Sequence, residues 1–551
     1  MNALKTVLLR CTAACERGWL WLDQPRVLAR CALLLPLVFG LLALRYGQDA
    51  NWDLHNYHRY NPYALLNGRI GFDLAPAQWQ SYFNPALDLV YYGLTTALPA
   101  PLAGFIMGML HGLNFVLVLA IARCLLRSGT AQPLRLPLLL ALAGCLGPGF
   151  LSELGNSMGD NMTALCVLGS LLVVIARWDR PAVLAAGVLM GVGVGLKLTN
   201  AIYALALCVA LLSVAGGVSR RVSIAFRFGI GVLGGIAASA GFWYWKMWQV
   251  FGNPLFPQFN NWFKGPLAAP IGIGDTGWLP KSLGEKLLWP FIFTLHPERV
   301  IEIALHQIIW PILYVAFCFL ALRKLRAAIL GADTVPPMRP QARAFLIFFA
   351  LSYLIWLNLF GIYRYLVPIE LLAPLALWLV AHALMPASFA RGVAGYAILL
   401  ASMAILPIGG WGHAGWTARA FEAQVPVIAE PAQSMVFTVH GDPPMGWLVP
   451  FFPAPLAFVA LGSGFPESEG FRARVDAMIA ARPGPLYVML QAPQDDAANL
   501  VALDKAGEIL ARYGMRRDAA DCVPFDAFIG KNRTPVQLCT VQRPMLRTGS
   551  R

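Results

Sequence analysis

The amino-acid sequence predicts a mainly α-helical membrane bundle of about eleven spans, followed by a small α/β domain, on three observations. Hydrophobic residues make up 58% of the 551 and charged residues only 13%, a balance that excludes a soluble globular chain. Window after window near the roughly 20 residues needed to cross a bilayer carries few or no charges. The basic residues behind the net charge of +14 fall in short clusters between apolar runs. That is the positive-inside pattern, and it argues against nucleic acid as a partner.

The first residues are basic (Lys5, Arg10, Arg17, Arg26, Arg30) and run into an apolar stretch at 31–44 without an Ala-x-Ala-like cleavage site. They read as a retained first helix that starts in the cytoplasm. Spans are expected at 27–46, 103–126, 135–150, 162–176, 181–197, 199–216, 224–245, 303–322, 344–360, 366–385 and 393–410. Segments 87–98, 181–216 and 286–302 are short or half-apolar, so the count is open by about two. Residues 87–98 read as a juxtamembrane piece that lies along the bilayer or dips into it. The loops assigned inside hold roughly nineteen Lys and Arg, among them Arg323, Lys324, Arg326, Arg339 and Arg343. Acids gather in the other loops: Asp49, Asp53, Asp73, Asp88, Glu153, Asp160, Asp275, Glu285, Glu298 and Glu302. This bias sets the N-terminus in the cytoplasm and the C-terminal domain outside, which fits the periplasmic face of a bacterial inner membrane.

After about residue 411 the composition changes, dividing the chain into 1–410 and 411–551. Strands are expected at Met435–Val439, 456–461, 486–490 and 536–541, with helices at 467–481 and 497–513. Cys522 and Cys539 flank a hairpin at Phe528-Ile-Gly-Lys-Asn-Arg533, and on an oxidising side they pair as a disulfide. The other eight cysteines (Cys11, Cys15, Cys31, Cys124, Cys145, Cys166, Cys208, Cys318) form no CxxC pair and read as small apolar packing residues.

Chemistry concentrates just after the first span, in Asp49-Ala-Asn-Trp-Asp-Leu-His-Asn-Tyr-His-Arg-Tyr-Asn61. If 49–61 is helical, Asp49, Asp53, Tyr57 and Tyr60 or Asn61 share one face. Asp49 also suits a helix N-cap. Asp53 lies among Trp52, Tyr57 and Tyr60, where burial raises a carboxyl towards a general base's range. Asp160, in Gly159-Asp160-Asn161, is either the cap of the fourth span or a second acid, with Glu153 beside it in the same loop. Lys197 and Arg364, the latter between Tyr363 and Tyr365, sit at span ends. They either snorkel to the lipid surface or join Arg59 around a phosphate or pyrophosphate. His55 and His58 with Asp49 or Asp53 make a divalent metal conceivable, but no fourth ligand converges, so no cofactor is expected. There is no phosphate-cradling Gly loop, nucleophile elbow or clear internal repeat.

Five motifs in this order resemble the glycosyltransferases of the GT-C superfamily. They are Asp53-Leu-x-x-Tyr57 with Tyr63-Ala-Leu-Leu-Asn-Gly68, Gly159-Asp160-Asn161, Gly195-Leu-Lys-Leu-Thr199, Phe251-Gly-Asn-Pro-Leu-Phe-Pro257 and Arg364-Tyr365-x-x-Pro368. The resemblance covers roughly residues 27–410. It implies transfer of a sugar from a polyprenyl-phosphate donor, usually with inversion, to an extracytoplasmic acceptor (glycan, lipid or protein). Asp53 matches the family's first-loop catalytic acid and Asp160 its second-loop acid. Asp49, four residues before Asp53, departs from the pattern and leaves the choice of base open. His55, Tyr57, His58, Arg59, Glu153, Lys197, Tyr363 and Arg364 are the expected substrate-binding residues. The alternatives are a transporter or flippase of lipid-linked saccharides, which calls for inverted repeats and midplane charges, and a non-catalytic membrane scaffold.

Overall fold

The computed structural model describes residues 19–126, 134–214, 216–330, 338–439, 444–493 and 495–543. Lys5, Arg10, Arg17, Cys11, Cys15 and Arg127 lie outside the described residues. Among the described residues, four helices are long and apolar enough to cross a bilayer: Pro25–Tyr46, Ala100–Leu126, Val218–Phe251 and Pro340–Leu359. Tyr363–Glu370 and Ala373–Leu384, bent by 59°, make a fifth if they act as one broken span. These helices mark a membrane protein.

Every other predicted span also contains a helix, but most are short: Arg135–Cys145, Asp160–Ala176, Arg180–Leu196, Leu198–Leu211 and Ala387–Met403. Ile309–Leu330 is longer but carries Arg323, Lys324 and Arg326 in its last turns. By length and composition four or five crossings stand among the described residues, where about eleven are expected of the sequence.

Helix ends follow the local chemistry. Pro25 opens the first long helix, and Gly47 ends it at φ 108°, a conformation that side chains with a Cβ resist. Arg180–Leu196 lies against Val218–Phe251 through glycines. A Cβ on Gly187 or Gly191 would stand 2.3 Å from Phe228 O or 2.1 Å from Val232 O. One on Gly231 or Gly235 would stand 2.4 Å from Leu184 O or 2.1 Å from Val188 O. Paired small residues four apart let two apolar backbones approach where lipid offers no hydrophobic drive.

The loop after the first long helix departs from its expected helix. It opens as β1 (Gln48–Asp49), which pairs antiparallel with β2 (His413–Ala414) at the start of the C-terminal region. A π-helical turn over Leu54–His58 and a helix over Tyr60–Leu66 come next. Asp49, Asp53 and Tyr57 therefore do not share one α-helical face, because β pairing claims Asp49 and the extra residue per turn rotates the side chains beyond it.

The C-terminal sheet contains β3 (Phe421–Ala423), β4 (Met435–Val439), β5 (Ala457–Leu461), β6 (Leu486–Gln491), β7 (Arg516–Ile529) and β8 (Asn532–Gln542), in the order β3-β7-β8-β6-β4-β5. β4 runs parallel to β5 and β6, and the remaining pairs are antiparallel. Helices Glu469–Ala480 and Asp496–Ala511 close one face over Phe437, Val459 and Val488. The other face, with Val436, Phe458 and Met489, packs against Tyr57, Tyr60 and Tyr63 of the first loop. Cys522 and Cys539 stand opposite each other on β7 and β8 and are joined as the expected disulfide.

Arg69 fastens the two regions. It donates to both Asp73 oxygens at 2.6 and 2.7 Å and to the carbonyls of Ala454 and Leu456, while Asp73 also accepts from Phe458 N. Leu74 then exchanges backbone hydrogen bonds with Phe458 and Ala460 of β5. The first loop is thus held between helices and sheet.

Candidate active site

Asp53 comes just after the first long helix, and Asp160 opens the helix Asp160–Ala176. Lys197 terminates Arg180–Leu196, and Arg364 lies in the short turn Tyr363–Leu366. Folding brings these four helix-end residues together as two acid–cation pairs. Arg364 Nη1 donates to Asp53 Oδ2 at 2.8 Å, and Lys197 Nζ stands 2.6 Å from Asp160 Oδ2. Lys197 also donates to Met158 O at 2.9 Å. The ring of Tyr365 joins the pairs: Arg364 lies 5.3 Å and Lys197 5.4 Å from its centroid. Trp411 offers Arg364 a second ring at 5.7 Å. All four side chains are at most 16% exposed, so their attraction is weakly screened. Neither cation snorkels outward.

Burial alone would raise the Asp53 carboxyl, but Arg364 foremost, with His58 and Lys197, holds it below the usual carboxylate range. This overturns the expectation of a base tuned upward: Asp53 is ionised at neutral pH and bound to its partner. Asp49 is neither a helix cap nor a free base. Its Oδ1 accepts from Asn51 N at 3.1 Å and Asn51 Nδ2 at 2.7 Å, and its Oδ2 accepts from Ser157 N at 2.8 Å. It ties the second loop to the first and so positions Asp160.

No family model, curated protein or solved structure matches the chain.

The remaining expected residues divide. His58 joins the site, with Nδ1 2.7 Å from Asp88 Oδ1, and Tyr57 packs on its ring at 4.1 Å between centroids. Glu153 lies beside Asp160, buried, with neither carboxylate oxygen hydrogen-bonded. Burial above all, and Asp160 next, push its carboxyl well above the usual range.

Arg59 does not join Lys197 and Arg364. It donates to Trp447 O at 2.8 Å and lies 4.3 and 4.2 Å from the rings of Phe421 and Phe451, and burial lowers it to about 9. His55 packs edge-on against Trp447 at 5.6 Å, with burial depressing it to about 4. Tyr363 turns into the bundle, its hydroxyl donating to Glu370 Oε1 at 2.7 Å and accepting from Trp310 Nε1. Among the described residues, no three of His, Cys, Asp and Glu form a metal-holding group.

Sequence reasoning did not single out Asp88 or Glu370. Asp88 heads the apolar helix Asp88–Ala97 and Glu370 interrupts an apolar stretch, where it accepts from Gly149 N and Phe150 N. An acid beside or within apolar sequence is the signal that finds both.

Proposed function

We propose that this chain is a membrane-embedded glycosyltransferase of the bacterial inner membrane. It passes a sugar from a polyprenyl-phosphate donor to a hydroxyl-bearing acceptor on the periplasmic side, with inversion. The observation that carries this reading is the meeting of Asp53–Arg364 and Asp160–Lys197 at four helix ends around one tyrosine ring. A donor whose lipid tail stays in the bilayer presents its phosphate at such a level. Arg offers that phosphate a planar fork of donors and Lys a compact charge.

As the acceptor oxygen bonds to the anomeric carbon, the bond from that carbon to the phosphate oxygen breaks and negative charge grows on the lipid phosphate. Fixed cations lower that barrier because they need no reorganisation. Asp53 and Asp160 hold the cations in place before the donor arrives, and their carboxylates lie at the reacting centre. The eleven-span topology with a cytoplasmic N-terminus belongs to this same proposal.

Binding of decaprenyl phosphate to the full chain in nanodiscs tests the reading. A charged hydrogen bond contributes about 1.5–3 kcal/mol, so Arg364→Gln and Lys197→Gln should each weaken binding roughly 10- to 150-fold. Unchanged affinity in both variants removes the phosphate site and the reading with it.

A further inference from the structure

His58 has a partnership that the two ion pairs do not use. Its Nδ1 meets Asp88 Oδ1 at 2.7 Å, with side chains 3% and 5% exposed. Nε2, the other ring nitrogen, is buried and has no hydrogen-bond partner among the described residues. A carboxylate on Nδ1 fixes the Nδ1–H tautomer and leaves Nε2 as the acceptor. The other carboxylates nearby are engaged: Asp53 by Arg364, Asp160 by Lys197, and Asp49 by Asn51 and Ser157. Glu153 is buried without a hydrogen-bond partner on either oxygen among the described residues, and burial disfavours its carboxylate form.

We infer that His58 and Asp88 form the proton-accepting dyad of the transfer, His58 Nε2 as general base and Asp88 as its positioning residue. This rests on the glycosyltransferase reading above. In the step, the acceptor oxygen forms its bond to the anomeric carbon and the bond to the phosphate oxygen breaks. The lipid phosphate leaves with that electron pair, and the acceptor's proton passes to His58 Nε2. The imidazolium so formed is stabilised by Asp88 and later returns its proton to water.

The charged groups that act on the dyad are Asp53 and Lys197, with Arg364 bound to Asp53. Tyr57 packs on the imidazole, Tyr60 and Tyr63 stand on the adjoining helix, Tyr82 precedes Asp88 and Tyr91 comes after it, while Arg59 is turned to Trp447. The segment Gly446–Phe451, packed against the His58 turn, brings no titratable group.

The test uses the full chain in nanodiscs with a panel of decaprenyl-phosphate-linked hexoses and pentoses, membrane extract as acceptor, between about pH 5 and 9. His58→Gln should lower kcat about 10²- to 10⁴-fold, abolish the acid limb of the pH profile and leave decaprenyl phosphate binding unchanged. Asp88→Asn should lower kcat and move that limb to lower pH, with Asp88→Glu restoring part of the rate.

Nitrogen-15 histidine spectra of the wild type, with His58 assigned by its loss in His58→Gln, give a readout independent of turnover. They should show a protonated Nδ1 and a bare Nε2 at neutral pH. Wild-type rate and acid limb in His58→Gln, or an Nε2–H tautomer in the spectra, overturns the dyad. A wild type that transfers no sugar refutes the transferase reading instead, and the spectra then still decide the His58–Asp88 tautomer.

Discussion

Replacing Arg364 with Gln strands the Asp53 carboxylate in a buried site. The pair meets at 2.8 Å with side chains only 16% and 11% exposed. Removing one member of a buried pair costs about 3–5 kcal/mol, and the residual exposure puts this case near 3. Asp53→Asn leaves Arg364 against the rings of Tyr365 and Trp411, whose cation–π attraction holds the loss to about 2 kcal/mol. Independent effects would sum to about 5 kcal/mol. With neither charge left unpaired, the double variant should lose only about 3, a coupling near 2 kcal/mol.

The assay is equilibrium unfolding in mixed micelles at neutral pH, read by tryptophan fluorescence and circular dichroism. The sign of the pH dependence comes from the depressed Asp53 carboxyl. Its contribution is complete above the unfolded value of about 3.9 and is lost as pH falls through the folded one. A coupling under about 0.5 kcal/mol, within ordinary additivity, refutes the reasoning.

Three further outcomes are expected. Glu153 has a raised carboxyl, so wild-type stability falls as pH climbs from about 4.3 towards the folded value. Glu153→Gln should gain stability at pH 8 and nothing at pH 4 in the same unfolding assay. Arg69→Ala removes the donors that join Asp73 to the 454–456 carbonyls. It should cost about 3–5 kcal/mol and raise amide hydrogen exchange in Ala457–Leu461 ahead of Pro340–Leu359. Cys522→Ser opens a loop with a sequence separation of 17, and should cost about 3 kcal/mol in the C-terminal sheet alone, read by its proteolysis.

Much of this arrangement is legible in the residues. β4 falls on the predicted run, and the disulfide joins the predicted pair, because alternation and cysteine spacing are local signals. The four ionisable groups at span ends are legible as a set, but the sequence offers the cations a lipid surface or a phosphate rather than Asp53 and Asp160 as partners. Which acid meets which cation is not legible, as Asp53 and Arg364 are 311 residues apart.

The first loop misleads because 3.6-residue spacing assumes a continuous α-helix, whereas β pairing and a π-helical turn intervene. Arg59 misleads because the two aromatic rings that hold it come from the distant C-terminal region. The hairpin at 528–533 is legible, but the full length of β7 is not, because Arg516–Ile529 mixes Arg516, Arg517, Asp518, Asp521, Asp526 and Pro524 into its apolar residues, and pairing to β8 supplies the order. The glycine contacts between Arg180–Leu196 and Val218–Phe251 are written as four-residue spacings, but only the fold pairs the two stripes.

The most direct measurement is sugar transfer by the purified full chain in proteoliposomes, using labelled polyprenyl-phosphate-linked sugars on the face that carries the C-terminal sheet. Wild type should transfer label to an acceptor. Asp53→Asn and Asp160→Asn, folded and still inserted, should each lose at least about 10²-fold in kcat. Transfer at the wild-type rate in both variants contradicts a reacting centre at these two acid–cation pairs.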